Sequence, residues 1–241
     1  MDRDSGAVQL LLPLRLAPHS RFSLFEKGAN ALALDHVRAS AAGQRPGLVW
    51  LWGGRGVGKS HLLQAACREA DAAGRRAMYL PLGQHSPLQP AVLAGLEGLD
   101  LVALDDAAAV RGETRWERAL FELVNAVLDA ERCLLISADV APREAGFELP
   151  DLASRASAAI VYRLVPLDDD GIRAAAWLQA RDRGLSFDAS SMRYLLERIS
   201  RDMESVNVWL ARLDEASLAS RRRITIPLIR DTLTRYGGAG E

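Results

Sequence analysis

From about residue 47, short and almost continuously apolar runs alternate with stretches of helical period. The runs are Leu48–Trp52, Ala77–Leu80, Leu101–Leu104, Leu134–Ser137 and Ile160–Leu164. Four or five apolar residues in a row predict strands buried on both faces of a parallel sheet. Between them, Arg115–Ala130 places Trp116, Leu120, Leu123, Val124, Val127 and Leu128 at i, i+3/i+4 spacing, the stripe of an amphipathic helix. Repeated strand–helix units predict an α/β layered domain.

After Pro166 the rhythm becomes helical throughout. Asp168 and Asp188 are candidate N-caps, and Thr225 precedes a Pro227 suited to a first helical turn. Met192, Leu195, Leu196 and Ile199 form one stripe, and Met203, Val206, Leu210 and Leu213 form another. Two such stripes need a shared core, which predicts a helical subdomain over 167–241. The α/β part then covers 21–166, and residues 1–20, which precede any periodic pattern, are expected to form a mobile arm.

Composition narrows the class. At 241 residues, 49% hydrophobic and 25% charged, the chain matches a soluble globular protein that needs no disulfide or metal staple. The net charge of −1 supplies no basic field for nucleic acid. Arg221-Arg222-Arg223, a basic run without aromatic platforms, reads as a solvated helix end. Cys67 and Cys133 lack metal or redox spacing and read as buried free thiols of a reducing compartment. With neither a secretory signal nor a membrane span, the expected location is cytoplasmic, without membrane partners.

The strongest chemical signal is Gly53-Gly54-Arg55-Gly56-Val57-Gly58-Lys59-Ser60, which fits the phosphate-loop pattern G-x-x-x-x-G-K-[ST] between a strand and a helix. Glycines let backbone N–H groups converge on an anion, and the following helix adds its N-terminal donors. Lys59 is suited to the β- and γ-phosphates and Ser60 to Mg²⁺. The next residue, His61, is read as a helix-start residue near the nucleotide. Only Lys27 and this Lys59 are lysines, every other residue of that charge being arginine.

A phosphate loop predicts a carboxylate ending a neighbouring strand. Leu104-Asp105-Asp106 supplies Asp105 for the metal side and Asp106 to orient or deprotonate a water. The run Leu134–Ser137 leads through Ala138 into Asp139, a candidate γ-phosphate sensor, with Ser137 second. Arg155, in the turn before the last strand, is placed to project toward a neighbour's phosphates as an arginine finger. At the N-terminus, Gln9-Leu10-Leu11-Leu12-Pro13-Leu14 is an apolar cluster that either folds back on the core or docks as an extended peptide.

Together these residues resemble the AAA+ region of the replication initiator DnaA: Trp52–His61, Leu104–Asp106, Ser137–Asp139 and Leu152–Arg155. They are more similar still to the Hda family, regulatory inactivators of DnaA, on Gln9–Leu14, Trp116–Leu123, Leu149–Arg155 and Ile224–Pro227. The resemblance implies an AAA+ P-loop domain with a parallel sheet and a small helical lid. It implies a negative regulator of replication initiation that binds ADP or ATP with Mg²⁺ and has little turnover of its own. Gln9, Leu10, Leu12, Pro13 and Leu14 would bind the β subunit sliding clamp of DNA polymerase III, reaching DNA indirectly. Arg155 would then stimulate hydrolysis of DnaA-bound ATP in trans, with a homo-oligomer also open. One departure is Glu204, which stands where the family places a lid arginine, with Arg201 a substitute one turn earlier. The alternative is a self-contained ATPase motor or loader, favoured by intact Lys59, Ser60, Asp105 and Asp106.

Overall fold

The computed structural model describes residues 16–84, 86, 88–220 and 223–237. Five strands form one parallel sheet: β1 (Gly47–Trp52), β2 (Ala77–Pro81), β3 (Leu101–Asp105), β4 (Cys133–Ala138) and β5 (Ile160–Arg163), in the order β2-β3-β4-β1-β5. The central strands are buried on both faces, and alternate residues serve different layers. Leu48, Trp50, Val102, Leu104, Leu134 and Ile136 join the core under α3 (Thr114–Asp129) and α4 (Pro150–Ser157). Val49, Leu51, Leu101, Ala103, Cys133 and Leu135 join the opposite core with α1 (Ala31–Ala41) and α2 (Lys59–Ala72).

The expectation of two-sided burial fails at β5. Ile160 and Val161 are 45% and 41% exposed because this strand is an edge with one neighbour, β1, and at the other edge, β2, Met78 is likewise 38% exposed. Both thiols are buried and free, and burial pushes them up, Cys67 to about 12 and Cys133 to about 11.

Beyond the sheet come α5 (Asp169–Asp182), α6 (Ala189–Leu196), α7 (Met203–Ser220) and α8 (Ile226–Gly237). Asp168 accepts the N–H of Gly171 and Asp188 that of Ser191, the two caps expected from the sequence. The four helices enclose their own core, in which Ile172, Met192, Leu195, Val206, Leu210 and Ile229 are buried.

The part of the expected arm that is described, residues 16–20, is docked. It begins a strap that runs between α2 and α5. On the α2 side, Gln64 Oε1 accepts the N–H of Ala17 at 2.8 Å, Arg68 donates to the carbonyls of Ala17 and Ser20, and His61 Nε2 donates to the Arg21 carbonyl at 2.8 Å. On the α5 side, Asp182 meets His19 at 2.6 Å and Arg21 at 3.2 Å, and Gln179 donates to the Leu24 carbonyl. Further along, Asn30 clamps Val165 through two bonds of 2.9 Å, one to its carbonyl and one from its N–H.

Candidate nucleotide site

The chain leaves β1 through the glycine-rich loop and enters α2 at Lys59. Gly53 crosses close to the end of β5, where an added Cβ would sit 2.4 Å from the Leu164 carbonyl oxygen. Gly58 caps α2 in a left-handed conformation (φ 99°), and a Cβ there would lie 2.7 Å from the Phe25 ring. The loop's path therefore depends on missing side chains at both positions. Lys59 Nζ donates to the carbonyls of Gly53 and Gly54 at 2.6 and 2.8 Å, which holds the ammonium over the loop. Its pKa is lowered by burial, against the opposing pull of Asp105, Asp106 and Asp139.

A cleft of about 900 Å³ opens beside the loop, within the size range of small-ligand sites. Gly56, Val57, Gly58, Lys59, Ser60, His61, Asp105, Asp106 and Asp139 all line it. Leu24, Phe25, Leu167, Ala175 and Met203 give it an apolar region, set by the strap and the lid. Gly53 and Gly54 act through their backbone, and Arg155 lies outside the cleft. Gln9, Leu10, Leu12, Pro13 and Leu14 fall outside the described residues.

Asp105 ends β3 almost fully buried. Its Oδ2 accepts from the Tyr79 hydroxyl at 2.6 Å and its Oδ1 from the Ser137 hydroxyl. Ser137 Oγ in turn accepts the N–H of Asp106 at 2.9 Å. Ser137 thus ties the two aspartates together from β4 instead of facing the cleft itself. Asp106 is more open, in a left-handed conformation (φ 60°, ψ 53°). Burial first, then the charges of Asp105 and Asp139, raises its pKa. Such a shift brings a carboxylate nearer to the range of a general base.

The donor set fits a magnesium nucleotide. Mg²⁺ is commonly held by one or two carboxylates together with phosphate oxygens. Ser60 and Asp105 provide an exposed hydroxyl and a fixed carboxylate on the same cleft. Among the described residues no cluster of three or more His, Cys, Asp or Glu forms a metal cage.

His61 supports the strap, with its ring 5.7 Å from that of Phe25 and its pKa lowered by burial. Glu204 makes the departure at the lid intelligible: it faces Arg55 of the loop, bonded at 2.6 and 2.7 Å. Arg201 does not stand in for a lid arginine at the loop, because it is bonded to Asp169 at 2.6 Å. The Arg155 side chain is exposed on α4 and makes no hydrogen bond or ion pair among the described residues. The segment before its helix is anchored by Glu117, whose buried carboxylate accepts from Gly112, Glu148 and Leu149. Sequence reasoning missed Tyr79, Glu117 and Arg55. Their partners are distant in sequence, and only the last carried a hint, by lying inside the loop motif.

The sheet, the loop and the lid give the chain an AAA+ type of fold. Solved structures agree: domain III of the Thermotoga maritima replication initiation protein DnaA matches with a TM-score of 0.77 at 19% identity, covering 92% of this chain and 98% of that one. AMPPCP-bound DnaA from Aquifex aeolicus matches at 0.70 and 22%, over 92% and 70%. The Thermotoga maritima RuvB Holliday junction branch migration motor shares the fold more loosely, at 0.60 and 16%, over 85% and 66%. Residues 168–233 match the family model for the Hda lid domain. The lid is thus similar to that of the Hda family, and the likeness to DnaA is one of fold. No described helix is long and apolar enough to cross a membrane.

Proposed function

We propose that this protein is a nucleotide-bound negative regulator of replication initiation, which stimulates hydrolysis of ATP on DnaA in trans. Its organisation on this reading is a clamp-binding arm (1–20), a nucleotide domain (21–166) and a lid (167–241). The observation that carries the reading is Arg155: exposed, free of partners among the described residues, and outside its own cleft. A guanidinium so placed is available to another molecule's phosphates, and its fixed charge suits a developing negative charge there. The Hda-type lid supports DnaA as that molecule.

The chain's own cleft would hold ADP or ATP, the phosphates on the loop and Lys59, with Mg²⁺ at Ser60 and Asp105. Asp106 and Asp139 face the same space. Gln9–Leu14 would tether the protein to the sliding clamp on DNA, which agrees with a chain whose own charge is close to neutral.

Single-turnover hydrolysis of ATP on DnaA, with and without DNA-loaded clamp, tests this. Wild type is expected to accelerate hydrolysis, most strongly with clamp, and Arg155→Ala is expected to lose about 10³-fold. Full stimulation by Arg155→Ala removes the finger. Unchanged clamp affinity of a Gln9/Leu12/Leu14 alanine variant removes the tether. The second reading, a self-contained ATPase, draws on Asp106 with its raised pKa beside Lys59. Steady-state turnover abolished by Lys59→Ala, without effect on DnaA, favours that reading.

A further inference from the structure

Arg55 and Glu204 meet across the mouth of the cleft, 149 residues apart in sequence. Arg55 Nε donates to Oε2 at 2.7 Å and Nη2 to Oε1 at 2.6 Å. This paired geometry is how a guanidinium meets a carboxylate, and it serves a phosphate equally well. The same turn of the lid touches the loop again, since a Cβ at Gly56 would lie 3.3 Å from Asp202 Cβ. The contact therefore joins the phosphate loop to the start of α7.

Charge makes the pairing informative. The arginine and lysine side chains lining the cleft are Arg55 and Lys59, against the carboxylates of Glu26, Asp105, Asp106, Asp139 and Glu204. A polyphosphate entering so acidic a space, even with Mg²⁺, gains from each of these cations. Lys59 is already over the loop, whereas Arg55 is occupied by the lid. The pair is exposed, Arg55 by 87% and Glu204 by 47%, so water screens it and little stability is lost when it opens.

We propose that Arg55 is a phosphate-binding residue of this site, held by Glu204 until the phosphates of a nucleotide take its guanidinium. Occupancy of the loop is thereby passed to the lid as release of the first turn of α7. The inference rests on the reading of the loop as a nucleotide site. It inverts the expected arrangement: the cation belongs to the loop and the lid contributes the carboxylate that yields it.

Calorimetric titration with Mg²⁺-ADP and with a slowly hydrolysed Mg²⁺-ATP analogue tests it, on wild type, Arg55→Ala, Glu204→Gln, the double variant and Lys59→Ala. Arg55→Ala is expected to weaken binding about tenfold, the usual weight of a hydrogen bond to a charged group. Glu204→Gln is expected to tighten it severalfold, and that gain is expected to vanish in the Arg55→Ala background. Hydrogen exchange at residues 203–210 is expected to quicken when nucleotide binds wild type and to be insensitive to it in Glu204→Gln. Unchanged affinity of Arg55→Ala overturns the proposal. So does a Glu204→Gln gain that persists without Arg55, which is plain charge repulsion, or exchange that ignores nucleotide. If Lys59→Ala abolishes binding while Arg55→Ala does not, the nucleotide site stands and this inference alone falls. If wild type binds neither nucleotide, the reading of the site falls with it.

Discussion

The Tyr79 hydroxyl reaches across from β2 to hold Asp105 at the end of β3, at 2.6 Å. Burial and the neighbouring carboxylate push the phenol well up, so it stays a donor across the physiological range. With Ser137 on the other oxygen, both carboxyl oxygens of Asp105 are held in place as acceptors. Tyr79→Phe keeps the ring and removes one donor from a buried carboxylate. It is expected to cost about 1–3 kcal/mol in urea unfolding. Titrations with and without Mg²⁺ are expected to show a smaller contribution from the metal.

Asp106 predicts a pH dependence of stability. Its folded pKa lies above the ordinary value, so the folded state holds its proton more tightly than the unfolded chain. The stability that this supplies is present below the ordinary carboxylate pKa and is lost as pH rises through the raised one. Asp106→Asn removes the ionisation, and asparagine tolerates the left-handed backbone. The variant is expected to gain thermal stability over wild type at pH 7, with the gain shrinking on acidification. A gain independent of pH contradicts the assignment.

Gly58→Ala tests the loop's geometry. The new methyl meets Phe25 at 2.7 Å on a backbone with φ 99°. Strain of this kind costs about 1–3 kcal/mol, and relief requires the loop or the strap to shift. Lower thermal stability and weaker nucleotide binding are both expected, measured by calorimetry on the same sample.

Glu117→Ala addresses the support beneath Arg155. It strips the acceptor from three backbone N–H groups, at Gly112, Glu148 and Leu149. Unfolding in urea is expected to show a loss of about 3 kcal/mol. Stimulation of DnaA is expected to decline with Arg155 itself intact, whereas Arg155→Ala leaves stability unchanged.

Much of the scaffold was legible because its signals are local. Continuous apolar runs marked the central strands, and the caps at Asp168 and Asp188 are properties of a few adjacent residues. The exposure of Ile160 and Val161 was not, since an apolar run does not say how many strands flank it. The phosphate loop and Asp105-Asp106 are readable as motifs, whereas from sequence alone Ser137 reads as a second candidate, after Asp139, for sensing a γ-phosphate. Only the placing of β4 beside β3 reveals that its hydroxyl is turned onto the aspartates. Glu204 looked misplaced while an arginine was expected. Its partner, Arg55, becomes visible once the lid is folded over the loop.

The strap alters the mechanics of the lid. One end of α5 is attached covalently, just past the Val165 that Asn30 clamps. Near its other end, Gln179 and Asp182 are pinned to Leu24, His19 and Arg21. A body fastened at two points turns about the line between them, as a door does on two hinges. Here that line runs along α5 itself. The lid accordingly has a single easy rotation instead of three; α7, packed against α5, stays near that line, and the α6–α8 pair beyond it sweeps the wider arc.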